Sequence, residues 1–400
     1  MPVPVKTETC RVAGFRFAGV SAGLKQAAGA KDLGLIVAER PVAAAGAFTT
    51  NLIKAAPVRL ASKRIEAGRV QAVLVNSGSA NCFTGKAGDR LASSSCAALA
   101  REIGCAADLV VPCSTGVIGH LYSLERLRVG VKAACGELRC EGADDFARAI
   151  MTTDTLPKTA CASLKLDGRS ITLLGIAKGA GMIAPAMATM LAFIVTDARA
   201  ASSVLRRALG RALKASLNAI TIDGDMSTND TVLLLASGAA AGQELAGGAL
   251  AKFEAALSAV AQSLARQIVY DGEGATKLAA VEVSGARSRA DAEKVARRIA
   301  NSPLVKTALF GRDPNVGRIL AAAGASGARL DPGRLVLRVG NVTIAARGKI
   351  IVSGLDKAKR VMNQRQLELK LDLKLGRAKA SILTSDLSNE YVRINAEYTS

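Results

Sequence analysis

The chain reads as a mixed α/β protein of more than one domain, and three observations predict this. Half of its 400 residues are hydrophobic, enough for a large buried core. Short apolar runs alternate with longer segments whose leucines recur at helical spacing, so strands and helices are interleaved. From residue 278 onward the pattern changes to strand, helix and hairpin, a second α/β region.

The elements follow in order. Residues 11–17, 33–38 and 42–48 read as short strands punctuated by glycines. Residues 70–75 form a buried strand that empties into the polar loop Asn76-Ser77-Gly78-Ser79-Ala80-Asn81. Such loops are where sites collect. A helix at 86–103 and a short strand at 109–112 lead to Cys113-Ser114-Thr115-Gly116. There a backbone N–H and a hydroxyl can point at one spot, as in an oxyanion hole. Helices at 124–135 and 142–151 precede the hydroxyl cluster Thr152-Thr153-Asp154-Thr155. Strands at 158–165 and 170–177 pair as a hairpin through Asp167-Gly168. Residues 190–195 are a buried strand, with Asp197 as the expected N-cap of a helix at 198–218. In that helix Leu205, Leu209, Leu213 and Leu217 share one face. A strand at 231–235 and a helix at 250–269 lead to Glu273, set between Gly272 and Gly274. Beyond it come a helix at 287–300, a strand at 304–310, and a helix capped by Asp313 or Asn315. Gly340-Asn341 joins a hairpin. Strands at 366–373 and 377–383 follow, then a strand-like C-terminal stretch expected to be tucked into the fold.

Composition excludes several function classes. Basic residues outnumber acidic ones 53 to 33, for a net charge of +20. The charge is scattered, and aromatics for stacking bases are only 3%, so no nucleic-acid partner is expected. A positive surface also steers acidic small molecules inward. Eight cysteines lack C-x-x-C spacing, so they predict reduced, mostly buried thiols in a cytoplasmic protein. The N-terminus lacks the apolar core of a signal peptide, and no apolar run is long enough for a membrane span. His120 is the only histidine, so a multi-histidine metal site is impossible. Gly19-Val20-Ser21-Ala22-Gly23 matches the nucleophile-elbow pattern, but only a weak helix follows it. The loop at 223–230 lacks the glycine and closing glutamate of a calcium loop.

The chain is organised around Lys178-Gly179-Ala180-Gly181-Met182-Ile183-Ala184-Pro185-Ala186-Met187-Ala188-Thr189. Glycines free the backbone, and Thr189 stands where this loop enters the strand at 190–195. A threonine there becomes a nucleophile if a base lies close. The nearest base is its own α-amine, which exists only if the Ala188–Thr189 peptide is cut. A glycine-rich turn without chemistry is the plain alternative. Gly179, Gly181 and Ala184 also fit a dinucleotide fingerprint, but Pro185 stands where that motif needs a helix.

Residues 178–191 resemble the self-cleavage segment of the ornithine acetyltransferase family, the glutamate N-acetyltransferases of arginine biosynthesis. Further resembling segments lie at 46–51, 76–85, 114–119, 151–158, 224–232, 271–277, 313–318 and 386–398, in family order. The chain departs from the family's usual residues at Ala186, Ser79, Val316 and Tyr270. The resemblance implies an α/β fold, a layered αββα sandwich with a smaller α/β C-terminal domain. It implies cleavage into an α chain (1–188) and a β chain (189–400). Of the latter, 189–277 completes the sandwich, about 278–383 is the smaller domain, and 384–400 is a tail returning to the site. Thr189 matches the nucleophile, Ala188 the last residue of the α chain, and Thr115 and Gly116 the oxyanion pair. Thr155 (or Thr153), Lys178, Glu273, Asn395 and Ser400 match substrate contacts. The implied reaction moves the acetyl group of N2-acetylornithine to glutamate through acetyl-Thr189, with no metal or cofactor. Acetyl-CoA is a second candidate donor, and the assembly would be an α2β2 heterotetramer. The rival readings are a threonine amidohydrolase or aminopeptidase on the same fold and a non-enzymatic basic binding protein.

Overall fold

The structure, a computed structural model, describes residues 3–27, 29–166, 168–184, 190–240 and 242–397. The chain divides into two compact units. One holds the chain up to Asn218 together with Asp225–Ile268; the other holds Ala219–Gly224 and the chain from Val269 onward.

In chain order the first unit contains β1 (Phe15–Val20), β2 (Leu33–Phe48), α1 (Ala56–Ile65), β3 (Arg69–Asn76), α2 (Gly85–Ile103), β4 (Val110–Ser114), α3 (Leu124–Gly136) and α4 (Ala143–Ala149). The hairpin strands β5 (Lys158–Leu166) and β6 (Arg169–Lys178) come next, then β7 (Leu191–Thr196) and α5 (Ser202–Lys214). After β8 (Ile220–Thr221), which belongs to the second unit, come β9 (Thr231–Ala236) and α6 (Gly247–Tyr270).

The two strands expected at 33–38 and 42–48 are one strand of 16 residues, β2, with a register shift between Val37 and Val42. Its first half pairs with β1 and β3, and its second half with β9. β2 therefore joins two halves of one sheet, ordered β4-β3-β2-β9-β7-β6-β5. Alternation does the rest. Ile36, Val73 and Val75 from one half share a core cluster with Leu174, Ile176, Phe193 and Leu233 from the other. On the opposite face of the first half, Leu33, Leu35 and Leu74 pack on Leu99, Leu127 and Val131 of α2 and α3. On the outer face of β6, Gly175 makes room for Val260 and Leu264 of α6. Helix, sheet half, sheet half, helix is the four-layer αββα arrangement. Phe193 anchors its centre, edge-on to Phe146 of α4 at 5.3 Å between ring centroids. Replacing Phe193 by Ala is expected to cost about 3–5 kcal/mol, read as a lower urea midpoint for the full chain.

The second unit is α/β. β8 joins β10 (Leu278–Ala286), α7 (Arg289–Ala300), α8 (Pro303–Phe310), α9 (Val316–Gly324), β11 (Val336–Val339), β12 (Val342–Ala346), β13 (Lys349–Ile350), α10 (Val352–Val361), β14 (Gln366–Asp372), β15 (Ala378–Ser385) and α11 (Asn389–Glu397). Its sheet runs β13-β12-β11-β14-β10-β15-β8. The Gly340-Asn341 turn is present, pairing Val339 with Val342, and Asn315 caps α9 by accepting from the Arg318 N–H.

Four expectations need correcting. Residues 303–310 are a helix and not a strand, because Ser302 accepts from the Val305 N–H and Pro303 starts the first turn, a helix-start signal. The C-terminal stretch is the helix α11, with no buried residue; Arg393 pairs with Glu390 and Glu397 along it. Asp197 does not cap α5, whose N-cap is Ala201; it instead accepts the Thr172 N–H at 2.8 Å. Finally, the thiols are not all reduced: Cys10 and Cys161 form a disulfide, with 6.2 Å between their Cα atoms. Lys6 and Cys161 exchange backbone hydrogen bonds, which lays the N-terminal segment along the edge strand β5. A pair 151 residues apart leaves no trace in cysteine spacing.

Candidate functional site

The first unit gathers polar groups where β4 and β6 end and β7 and β9 begin. The framework comes first. Asn76, the last residue of β3, donates to Ser79 O at 2.8 Å and accepts from the Ser114 hydroxyl. Asn229 donates to Ala80 O and Ser114 O at 2.7 and 2.8 Å. These bonds fix the polar loop against the end of β4, and so set Thr115 and Gly116.

Gly116 has φ +120°, and a Cβ there would lie 2.7 Å from the Gly78 carbonyl carbon. Only glycine fits. The Thr115 N–H is committed to Asn76 O at 3.0 Å, whereas the Gly116 N–H makes no hydrogen bond among the described residues. Any oxyanion donors at this spot are therefore the Thr115 hydroxyl and the Gly116 N–H. Gly116→Ala should destabilise the chain by about 1–3 kcal/mol. It should also cut turnover by about 100-fold or more, measured by thermal unfolding and steady-state rates on one preparation.

Lys178, the last residue of β6, is buried at 4% exposure. Its Nζ donates to Thr152 Oγ1 at 2.7 Å and Thr115 Oγ1 at 3.3 Å. By accepting from Lys178, the Thr115 oxygen leaves its own proton available to a ligand. Asp154 makes the buried lysine tolerable. Its Oδ2 lies 3.9 Å from Lys178 Nζ, and its Oδ1 accepts from Lys158 Nζ and the Gly179 N–H, both at 2.6 Å. Burial alone would raise this carboxyl's pKa, but Lys178 and Lys158 outweigh it and hold the group below the usual carboxylate range. Asp154 thus stays charged and fixes both lysines and the turn at Gly179.

The second unit holds its own pair. Glu273 follows α6 and is buried to 9% exposure. Its Oε2 accepts from Asn395 Nδ2 of α11 at 2.8 Å. Ser388 donates to Gly274 O at 2.6 Å, and a Cβ on Gly274 would lie 2.5 Å from the Tyr391 N. Asp386 accepts the N–H groups of Thr276 and Lys277 at 2.8 and 2.9 Å. The Glu273 turn and the C-terminal helix are locked together.

Of the residues named from sequence, Thr115, Gly116 and Lys178 are brought to one place and Glu273 meets Asn395. Thr155 is exposed on the loop before β5, while its neighbour Thr152 is the threonine on Lys178. Ala188, Thr189 and Ser400 lie outside the described residues. Sequence reading noted Thr152 and Asp154 within the hydroxyl cluster without giving either a role, and gave none to Lys158 or Asn229. Asp154 had one signal, an acid inside a run of threonines. Among the described residues no group of three or more His, Cys, Asp or Glu could hold a metal, and no helix is long and apolar enough to cross a membrane.

An α/β sandwich that aims a hydroxyl, an uncommitted N–H and a buried cation at the ends of its strands is built as an acyl-transferring enzyme. The comparisons narrow this class. A model of the ArgJ family matches residues 16–400. The arginine biosynthesis bifunctional protein ArgJ of Symbiobacterium thermophilum is 46% identical over 389 residues, covering 96% of this chain and 97% of that one. Its namesake from Geobacter sulfurreducens is 47% identical over 392 residues, covering 97% and 99%. A solved chain of the bifunctional protein argJ from Bacillus halodurans is 37% identical with a TM-score of 0.50, covering 52% of this chain and 98% of that one. The chain belongs to the ArgJ family.

Proposed function

We propose that the chain cuts itself between Ala188 and Thr189 and then transfers the acetyl group of N2-acetylornithine to glutamate, as a step of arginine biosynthesis. The observation that carries this reading is the Thr115–Gly116–Lys178 cluster beside the strand β7, whose first residue, Leu191, follows Thr189 by two positions in the chain. In self-cleavage Thr189 Oγ attacks the Ala188 carbonyl, and the C–N bond breaks as the nitrogen takes the hydroxyl's proton. Water then splits the ester, leaving a free Thr189 amine and hydroxyl. In transfer that amine takes the hydroxyl proton, Oγ attacks the acetyl carbonyl, and the Thr115 hydroxyl and Gly116 N–H receive the oxyanion. Ornithine leaves with the proton, and glutamate's amine then removes the acetyl group by the reverse path.

Lys178 supports the Thr115 hydroxyl and adds positive charge near the oxyanion. Glu273, oriented by Asn395, suits a substrate ammonium; Thr155 and Ser400 complete the contacts. The relatives' designation as bifunctional supports acetyl-CoA as a second donor. That a solved relative of about half this length matches over 98% of itself supports a mature protein of two chains, 1–188 and 189–400. We place it in the cytoplasm as an α2β2 assembly, which light scattering on the purified protein would test.

Denatured intact mass decides the first step. Two fragments meeting at Ala188–Thr189, the second gaining one acetyl group with N-acetylornithine and losing it to glutamate, is the expected outcome. Loss of acetyl to water alone would favour an amidohydrolase. An uncut chain with steeply salt-dependent DNA binding would favour a basic binding protein.

A further inference from the structure

The pattern Gly19-Val20-Ser21-Ala22-Gly23 leads out of β1 into a loop wound around Asp32. Asp32 is 1% exposed. Its carboxylate accepts the N–H groups of Ala22, Leu24 and Lys25 at 2.6, 2.6 and 2.9 Å, and its carbonyl accepts the Ser77 N–H at 3.0 Å. One residue therefore binds this loop to the polar loop at 76–81. The layers touch closely: a Cβ on Gly78 would lie 2.2 Å from Leu24 O, and the Gly78 carbonyl in turn lies against Gly116. The segment 22–25 thus backs the Thr115–Gly116 corner through Gly78.

Lys25 reaches further. Its Nζ donates to Lys31 O at 2.9 Å and to Met151 O at 2.8 Å. The Met151 carbonyl shares a peptide with the Thr152 N–H, which donates to Asp154 Oδ2 at 3.0 Å. This peptide is gripped at its oxygen by a cation and at its nitrogen by an anion. It carries the Thr152 hydroxyl that accepts from Lys178, and Lys178 also donates to the Thr115 hydroxyl. Burial draws the Lys25 ammonium below its ordinary pKa, with Lys178 assisting and Asp32 and Asp154 opposing, so its charge lies within the field of the same cluster.

Resting on the function proposed above, we infer that Lys25 is a positioning residue for acetyl transfer. By holding the Met151–Thr152 peptide it fixes Thr152 on Lys178, and through Lys178 it sets the Thr115 hydroxyl that receives the oxyanion. The Thr115 hydroxyl does most when negative charge develops on the attacked oxygen. Loss of its support therefore lowers kcat and leaves substrate binding nearly unchanged.

Lys25→Met is the test variant, since it keeps an unbranched apolar stem and drops the ammonium. Its kcat for acetyl transfer should fall about 10-fold, with KM for both substrates within about threefold of the parent. A double variant with Thr115→Val separates positioning from general support of the fold. Thr115→Val alone should lose about 100-fold. If Lys25 acts through that hydroxyl, adding Lys25→Met leaves the loss near about 100-fold, because residues that act as a unit are not additive. A loss near about 1,000-fold, the product of the two, overturns the inference, as does a Lys25→Met kcat equal to the parent's. If Lys25→Met fails to fold, the crystal structure of the parent with ornithine bound decides. Lys25 Nζ within about 3.2 Å of Met151 O supports the positioning, and a separation beyond about 4 Å refutes it. A parent that transfers no acetyl group defeats the proposed function and this inference with it, whereas an active parent beside an equally active Lys25→Met defeats this inference alone.

Discussion

Thr189→Ala should give a single denatured mass near 41.0 kDa and no measurable acetyl transfer. The variant removes the hydroxyl that the proposed mechanism uses to attack the Ala188 carbonyl, so neither the ester nor the N-terminal threonine can form. Removing a covalent nucleophile costs a factor on the order of 10⁶ where such losses have been resolved, beyond ordinary assays. Thr189→Ser keeps the hydroxyl and should still cleave, with reduced turnover. A fully active Thr189→Ala chain would end the mechanism, because acetyl-Thr189 is its covalent intermediate. The expectation depends on the chemistry of one residue and not on stability, so the variant's urea midpoint should match that of an uncut parent.

The second large effect is expected at Asp154→Asn. Lys158 and Lys178 are 1% and 4% exposed, and Asp154 places a negative charge beside both. An asparagine could keep hydrogen bonds to Gly179 and Lys158 but would remove a carboxylate charge from beside two buried ammonium groups. Breaking a buried pair from one side costs about 3–5 kcal/mol. Transfer should fall as well, since Lys178 would no longer be held on Thr115. The sign with pH follows from the carboxyl's depressed pKa. The folded state holds the proton more weakly than the unfolded chain, so Asp154 stabilises the fold above the ordinary value of 3.8. That contribution is lost as pH falls below it toward the folded pKa. Urea midpoints between neutral pH and pH 3 should therefore drop more for the parent than for Asp154→Asn, and parallel curves would show that Asp154 is not the group responsible.

Much of this molecule was legible because its signals are local. The α5 face of Leu205, Leu209 and Leu213, the cap at Asn315 and the turn at Gly340-Asn341 depend on neighbours within a turn or two of chain. Residues 303–310 show the limit of a careless local reading. The apolar run suggested a strand, yet the Ser302-Pro303 start carried the better signal. Thr115 could be named from sequence because it sits before Gly116 in a recognisable loop, whereas Lys178 was named only through the family resemblance.

What sequence by itself determined is the chemical inventory and the periodicity: an α/β chain with one histidine, a glycine-rich approach to Thr189, and hydroxyls poised at strand ends. Tertiary structure alone decided how these meet. It bent β2 so that two sheet halves share one core, bonded Cys10 to Cys161, brought Lys178 to Thr115 across 63 residues, and set Asp230 on Met190 across 40. The physical reason is that hydrophobic period reports which face of a strand is buried but not which strand lies beside it. Pairing order and register emerge from the packing of the whole sheet, and buried charges such as Asp154 become intelligible only when their partners arrive.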